Sequence, residues 1–472
     1  MTAGSFLRRT LGAVTIAASA LLCGCTSLTP AYERPPAPVA DRFPNDTVAT
    51  SQASAAASAI AWQQFFSDPR LKELIELALQ NNRDLRVAVL NIELAQAQWR
   101  VRRSDLVPSL TLGAVGSRQT NADGGVTDAY LAGFTVPSFE LDFFGRVNSL
   151  SQAALAQYLA TEEARKAAQI ILVASVANGY LALLSDVEQL ALTERTLATR
   201  ESSRQLTKLK FDNGVASELD VAQADSLVQG ARVALQALKR QRALSENALV
   251  LLVGRPIMFE LPADSTLAGL KIGPELPAGL PSELLTSRPD IQQSEQLLRA
   301  ANANIGAARA AFFPRITLTG RAGIASGDLL GLFKAGSFAW AFTPQIILPI
   351  FDGGLNQANL DYATAQRQVS IALYEKSIQT AFREVADALA GRATLGAQLR
   401  AQQAQADAEE ARFTLSDLRY RNGVASYLDV LDAQRSLFLA QLATVQVQLS
   451  QLQNQVTLYK VLGGGWTEPA PN

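Results

Sequence analysis

The sequence predicts a mixed α/β membrane protein with an internal structural duplication, each chain supplying about four short strands and two long helical hairpins. Three observations predict it. Landmarks recur at an offset of about 206 to 209 residues; two long tracts lack proline and have helical composition; and short segments alternate apolar with polar residues at period two.

Composition sets the frame. Of 472 residues, 48% are hydrophobic and 18% charged, with a net charge of −1. A balanced charge without a basic block argues against a nucleic-acid partner, which would need a concentrated positive stripe to displace counterions. There is no histidine, and the two cysteines, Cys23 and Cys25, sit near the N-terminus. The commonest general base and the commonest metal ligand are therefore missing, so the expectation is no enzyme, no catalytic residue, no metal and no cofactor.

Residues 1–24 carry Arg8-Arg9 and then an apolar run from 11 to 22, the n-region and h-region of a secretory signal, too short for a stop-transfer helix. The run ends Leu22-Cys23-Gly24-Cys25, which resembles a lipoprotein cleavage site and makes Cys25 the expected lipidated first residue. One lipid chain anchors a protein only moderately, so a second membrane element is expected. Residues 25–61, with Pro30, Pro35, Pro36 and Pro38 and no hydrophobic period, read as a lipidated tether or an extended strap.

Two repeats follow, residues 62–255 and 283–466, separated by a proline-bearing linker at 256–282 and closed by a tail at 467–472. Asn82-Arg83-Asp84-Leu85 matches Arg288-Pro289-Asp290-Ile291, and Asp105-Leu106-Val107-Pro108-Ser109-Leu110 matches Ala311-Phe312-Phe313-Pro314-Arg315-Ile316. Leu141-Asp142-Phe143-Phe144-Gly145-Arg146 loosely matches Leu348-Pro349-Ile350-Phe351-Asp352-Gly353. Asn213-Gly214-Val215-Ala216-Ser217 recurs identically as Asn422-Gly423-Val424-Ala425-Ser426.

The proline-free tracts, 138–255 and 350–468, are rich in Ala, Leu, Gln, Glu and Arg and are expected to be helical. Each is punctuated once by Asn-Gly-Val-Ala-Ser, where Asn and Gly suit a left-handed C-terminal turn and Ser217 or Ser426 can cap the next helix. Each tract is thus a helical hairpin. Its first arm, about 148–212 or 355–421, would run about 100 Å at 1.5 Å per residue.

The remaining signal is strand-like. Ser109-Leu110-Thr111-Leu112 and Arg315-Ile316-Thr317-Leu318-Thr319-Gly320-Arg321-Ala322 alternate at period two. Each is followed, across a polar stretch, by a segment with Tyr130, Phe134 and Val136, or with Phe338, Trp340 and Phe342. A closed transmembrane barrel needs at least about eight strands, and an open edge in hydrocarbon leaves backbone groups unpaired. About four strands per chain therefore imply a barrel shared between chains; a soluble hairpin flanking a coiled coil is the other reading of the periodicity.

Together with Trp62 and Phe66 before Asp68-Pro69-Arg70-Leu71, Phe313-Pro314 entering a strand, and the terminal Leu462-Gly463-Gly464-Gly465-Trp466, these motifs resemble the TolC-like outer-membrane efflux family, in its OprM-like lipoprotein subgroup. The resemblance covers essentially all of the mature chain. It implies a homotrimer, with four strands per chain in a twelve-stranded transmembrane β-barrel continued by a twelve-helix periplasmic α-barrel. The barrel would lie in outer-membrane lipid, and the tunnel would meet a periplasmic adaptor protein and an inner-membrane pump of the RND type. The channel would be passive, and Gly463-Gly464-Gly465 would not be a phosphate loop.

The resemblance also points to a gate where the hairpins turn, with Asp429, Asp432 and Tyr420 matching the family's positions. Bland readings stand beside these. Ser426-Tyr427-Leu428-Asp429 has the spacing of a capping box, as does Ser217-Glu218-Leu219-Asp220. Tyr420 can be a packed aromatic at a helix end. Gln223 stands opposite Asp432 in the first repeat, which makes Asp432 the sharper gate candidate, and Ala425 replaces an arginine that a well-known member carries in this turn. Two competing functions are weaker. A periplasmic adaptor lipoprotein would not duplicate strands and hairpin together, and a lipid-anchored hydrolase would need convergent catalytic groups that are not visible. The cargo cannot be read.

Overall fold

The computed structural model describes residues 27–44, 57–257, 266–270, 272–274, 276–277 and 281–467. The expected signal segment, Cys25 and most of the tail lie outside them. The same order of elements occurs twice. Helix α1 (Pro69–Asn81) and α2 (Arg83–Ser104) precede β1 (Thr111–Thr120), β2 (Val126–Glu140), α3 (Arg146–Asp212) and α4 (Glu218–Val253). A short helix at Pro281–Ser287 and α5 (Pro289–Ala310) precede β3 (Arg315–Ser326), β4 (Phe338–Ile347), α6 (Leu355–Arg421) and α7 (Tyr427–Val461).

The chain forms two compact units, and each draws on both halves of the sequence. Among the described residues the first comprises 27–36, Leu90–Glu163 and Gln292–Lys376. Its centre is one antiparallel sheet in the order β1-β2-β3-β4. Strand β2 runs through Pro137 by shifting register between Val136 and Phe139, because proline has no N–H to donate to the ladder. This corrects the expectation that helix begins near 138: Ser138 to Glu140 remain strand, and α3 starts at Arg146. In the second tract α6 starts at Leu355, where the first arm of that hairpin is expected, and residues 350–354 precede it. The starts are fixed by carboxylates. Asp142 accepts from the backbone N–H groups of Val147 (3.1 Å) and Asn148 (2.7 Å), and Asp352 accepts from those of Gly354 and Asn356, both at 2.9 Å.

Part of the segment expected to be a tether or strap is pinned in this unit. Glu295 on α5, with 1% of its side chain exposed, accepts from Arg34 at 2.8 Å and Arg299 at 2.9 Å. It also accepts from the Tyr32 hydroxyl at 3.2 Å. Burial and then the Glu295 charge push the Tyr32 phenol up to about 12. Asn302 donates to the Pro30 carbonyl at 2.8 Å. Extended backbone is satisfied here by side chains of α5, which explains why no hydrophobic period was needed.

The second unit comprises the described residues within 37–89, 164–291 and 377–467. Asp68 caps α1 by accepting from the Arg70 and Leu71 N–H groups, with Pro69 at the first turn. Leu71, Leu74, Ile75 and Ala78 form its buried face. Phe65 stacks on Tyr459 at 3.9 Å between ring centres, and the Tyr459 hydroxyl donates to the Ile60 carbonyl at 2.6 Å. Arg288 of the duplicated motif is buried and donates to Asp290 (2.6 Å), Glu384 (2.8 Å) and the Val461 carbonyl (3.0 Å). It therefore ties the end of α7 to α6. The duplication extends to backbone crossings. Gly254 after α4 (φ 76°) would place a Cβ 2.5 Å from the Asn81 carbonyl oxygen. Gly463 after α7 (φ 84°) would place one 2.4 Å from that of Ser287. Only glycine satisfies both the positive φ and the close approach.

Candidate functional site

Two features carry functional chemistry, a sheet with one apolar face and a pair of helical tips. In the sheet, Leu112, Phe134, Ala322 and Trp340 align as one row across all four strands. Ala114, Ala132, Ile324 and Phe338 form a second row on the same face. Leu112, Trp340, Phe338 and Phe342 are exposed, Leu112 by 72% and Trp340 by 71%. The opposite face carries the row Thr111, Thr135, Arg321 and Ala341, and the row Gly113, Gly133, Gly323 and Ala339. Gly133 and Gly323 lie so close that a Cβ on Gly133 would come 2.5 Å from the Ala322 oxygen. An exposed apolar face opposite a polar one is the pattern of a strand set between lipid and a wet lumen. The outer edges of β1 and β4 have no strand partner among the described residues.

Among the described residues one helix, α3, contains a stretch long and apolar enough to cross a membrane, but 61% of that stretch is buried within the molecule. It is core, and the lipid-compatible surface is the sheet.

The tips lie in the second unit and are near copies. At the first, Gly214 adopts φ 70°, Val215 N–H donates to the Lys210 carbonyl at 2.8 Å, and the Asn213 side chain donates to the Leu209 carbonyl at 2.7 Å. At the second, Gly423 adopts φ 75°, Val424 N–H donates to the Arg419 carbonyl at 2.9 Å, and Asn422 donates to Leu418 at 2.7 Å. Ser217 N–H donates to Asp220 at 2.9 Å, and Ser426 N–H donates to Asp429 at 3.3 Å. Asp429 thus sits in a capping box at the start of α7.

Asp432 is half-buried and bridges two guanidinium groups, that of Arg412 on α6 and that of Arg435 at 2.8 Å on α7. The hydrogen bond from Arg412 holds its carboxyl below the usual carboxylate range. Sequence reasoning missed Arg412. The signal was available: Arg412 precedes and Asp432 follows Asn422 by the same ten residues, so a hairpin brings them together. The first hairpin has its own cross-helix pairs, Arg204 with Asp225 at 2.7 Å and Arg232 with Glu201 at 2.8 Å.

Tyr420 packs at 5.1 Å against Tyr427, and the Lys210 ammonium lies 3.8 Å from the Tyr420 ring centre. Tyr427, Val430 and Leu431 of α7 form a buried cluster with Ala224 of α4, and Tyr420 and Leu227 pack on it. The two hairpins are therefore held together at their tips by an aromatic and apolar plug, with Tyr420 in it. The structure brings Tyr420 and the start of α7 into one cluster and gives Asp429 and Asp432 separate, local partners.

Comparison with known proteins follows the same lines. The sequence profile described as "Outer membrane efflux protein" matches residues 74–255 and 280–464. The chain is 48% identical over 464 residues to the antibiotic efflux pump outer membrane protein ArpC of Pseudomonas putida, covering 96% of each chain. It is 48% identical over 464 residues, again 96% of each, to the toluene efflux pump outer membrane protein TtgC of Pseudomonas putida. The open-state crystal structure of the Neisseria gonorrhoeae MtrE outer membrane channel superposes with a TM-score of 0.86 at 43% identity, covering 93% of this chain and 99% of that one.

Proposed function

Because this chain belongs to the outer membrane efflux protein family, and so is an outer-membrane efflux channel with its helices in the periplasm, we propose that three copies close one conduit. The observation that carries this reading is the four-stranded sheet with an exposed apolar face and two unpaired edges. Lipid cannot satisfy an unpaired edge, so the β1 edge of one copy must meet the β4 edge of the next. Two copies would give eight strands, whose interior is just filled by side chains; three give twelve, which leaves a passage. The resemblance to the family's trimers agrees with three.

In this reading the N-terminal segment is lipidated at Cys25 and held along α5. The passage is a passive duct without catalytic chemistry. Transport work is done by an inner-membrane pump of the RND type, and a periplasmic adaptor joins pump to channel. The cargo is small molecules of the kind named for the relatives, antibiotics and aromatic solvents. The closed state is kept at the hairpin tips, where Asp429 and Asp432 rim the constriction and Tyr420 ties the hairpins. The bond that Arg412 donates to Asp432 stiffens the second hairpin.

Single-channel recordings in planar bilayers test the proposal. Purified wild-type protein is expected to give rare, small, cation-preferring openings, and Asp432→Ala to give more frequent and larger ones. A folded sample that never conducts would overturn the duct, and unchanged openings in Asp432→Ala would remove that residue from the gate.

A further inference from the structure

Every deeply buried arginine described so far has carboxylate partners, but Arg200 on α3 does not. Only 6% of Arg200 is exposed. Its Nη1 donates to the Leu227 carbonyl at 3.1 Å, and the guanidinium lies 5.2 Å from the Phe438 ring centre. Its Nε has no hydrogen-bond partner. Burial alone lowers the pKa of Arg200, with no acidic group raising it. A buried cation left without an anion is unfavourable, so a neighbouring space that admits one is informative.

Such a space adjoins it. A groove of about 220 Å³ lies between α3, α6 and α7, open to solvent on one side. Its walls include Leu192, Phe413 and Phe438, its charged members are Arg195 and Arg200, and none of its lining residues is acidic. Gln434, 6% exposed, also lines the groove and donates through Nε2 to Ser203 at 3.2 Å. The groove thus offers an unmet cation and apolar walls.

We propose that this groove is a binding site for a small amphipathic carboxylate, whose anionic end pairs with Arg200 and whose apolar body lies against Leu192, Phe413 and Phe438. Since α3 belongs to one hairpin and α6 and α7 to the other, an occupant would brace the two hairpins against each other. The site is independent of the sheet on which the channel reading rests.

The test is calorimetric titration of the purified, intact assembly with 4-hydroxybenzoate, using the neutral 4-hydroxybenzamide as the matched control. The acid is expected to saturate one site per chain and the amide to bind at least about tenfold more weakly, about 1.4 kcal/mol. Arg200→Gln is expected to weaken the acid by a similar factor, and Arg240→Gln, at an exposed position on α4 outside the groove, by less than about threefold. Absence of saturable binding, equal affinity for acid and amide, or unchanged affinity in a folded Arg200→Gln would each overturn the assignment. If Arg200→Gln does not fold, the acid-to-amide comparison on wild type decides. A channel that conducts but binds no acid would refute this site and leave the duct intact.

Discussion

Glu295→Gln is a sharp test of how the N-terminal segment is held. The carboxylate is almost fully buried, yet its partners Arg34 and Arg299 remain 42% and 46% exposed. Removing the charge therefore does not strand two buried cations, because water can reach both. What is lost is the charged character of the bonds from Arg34 and Arg299, since the amide keeps one accepting oxygen. Hydrogen bonds to charged groups are worth about 1.5–3 kcal/mol, so the expected loss is about 2 kcal/mol, or about thirtyfold in the population of the released segment. Glutamyl endopeptidase can read this directly, since Glu33 lies exposed in the segment itself. Where release and redocking outpace cleavage, the cutting rate follows the released population, so Glu295→Gln is expected to be cut about thirtyfold faster at Glu33. The pH dependence has a definite sign. Burial pushes the Glu295 carboxyl up, but hydrogen bonds from Arg299 and Arg34 outweigh it and hold it below its ordinary value. Its contribution is therefore complete above the ordinary glutamate range and disappears only as pH falls through the lowered value. Protection should be flat through neutrality and fall in acid, and the variant should lose that acid dependence. Equal cutting of wild type and variant at neutral pH would refute the latch.

Two predictions concern the sheet. Trp340→Arg, on the apolar face, is expected to cost about 2–4 kcal/mol if it lies near mid-bilayer, whereas Thr343→Arg on the opposite face is tolerated; recovery of folded, heat-modifiable oligomer from membranes distinguishes them. Gly133→Val is expected to force β2 from β3 and to lower that recovery by about 1–3 kcal/mol of overpacking, while Gly113→Val, whose Cβ meets nothing within 4 Å, is expected to be close to neutral.

Much of the fold was legible because the duplication repeats its landmarks in register. Alternation marked the strands, and the identical Asn-Gly-Val-Ala-Ser turns marked both hairpins. Less legible was the extent of β2, since Pro137 reads as a terminator and only a bulge lets the strand pass it. The loose match around Asp142 also misaligned the chemistry. Asp142 and Asp352 play the same capping part, although the motif comparison set Asp142 against Pro349. Contacts between distant residues left no local trace at all: Arg34 and Glu295 are 261 positions apart, and each looks like an ordinary surface charge in its own segment. At the tips, the capping spacing of Asp429 was readable, whereas the partner of Asp432 required knowing that α6 folds back on α7.

The two free edges of the sheet also bear on how an assembly is reached. A single copy offers one β1 edge and one β4 edge, and a partial ring of any size still offers one of each. Growth therefore satisfies the new junction but leaves the ends as adhesive as before, and only closure removes them. Intermediates should be short-lived and prone to runaway addition, so yield would depend on the rate of ring closure relative to that of new encounters. The strand twist and tilt that bring the last edge back to the first would then matter as much kinetically as the strength of any one pairing.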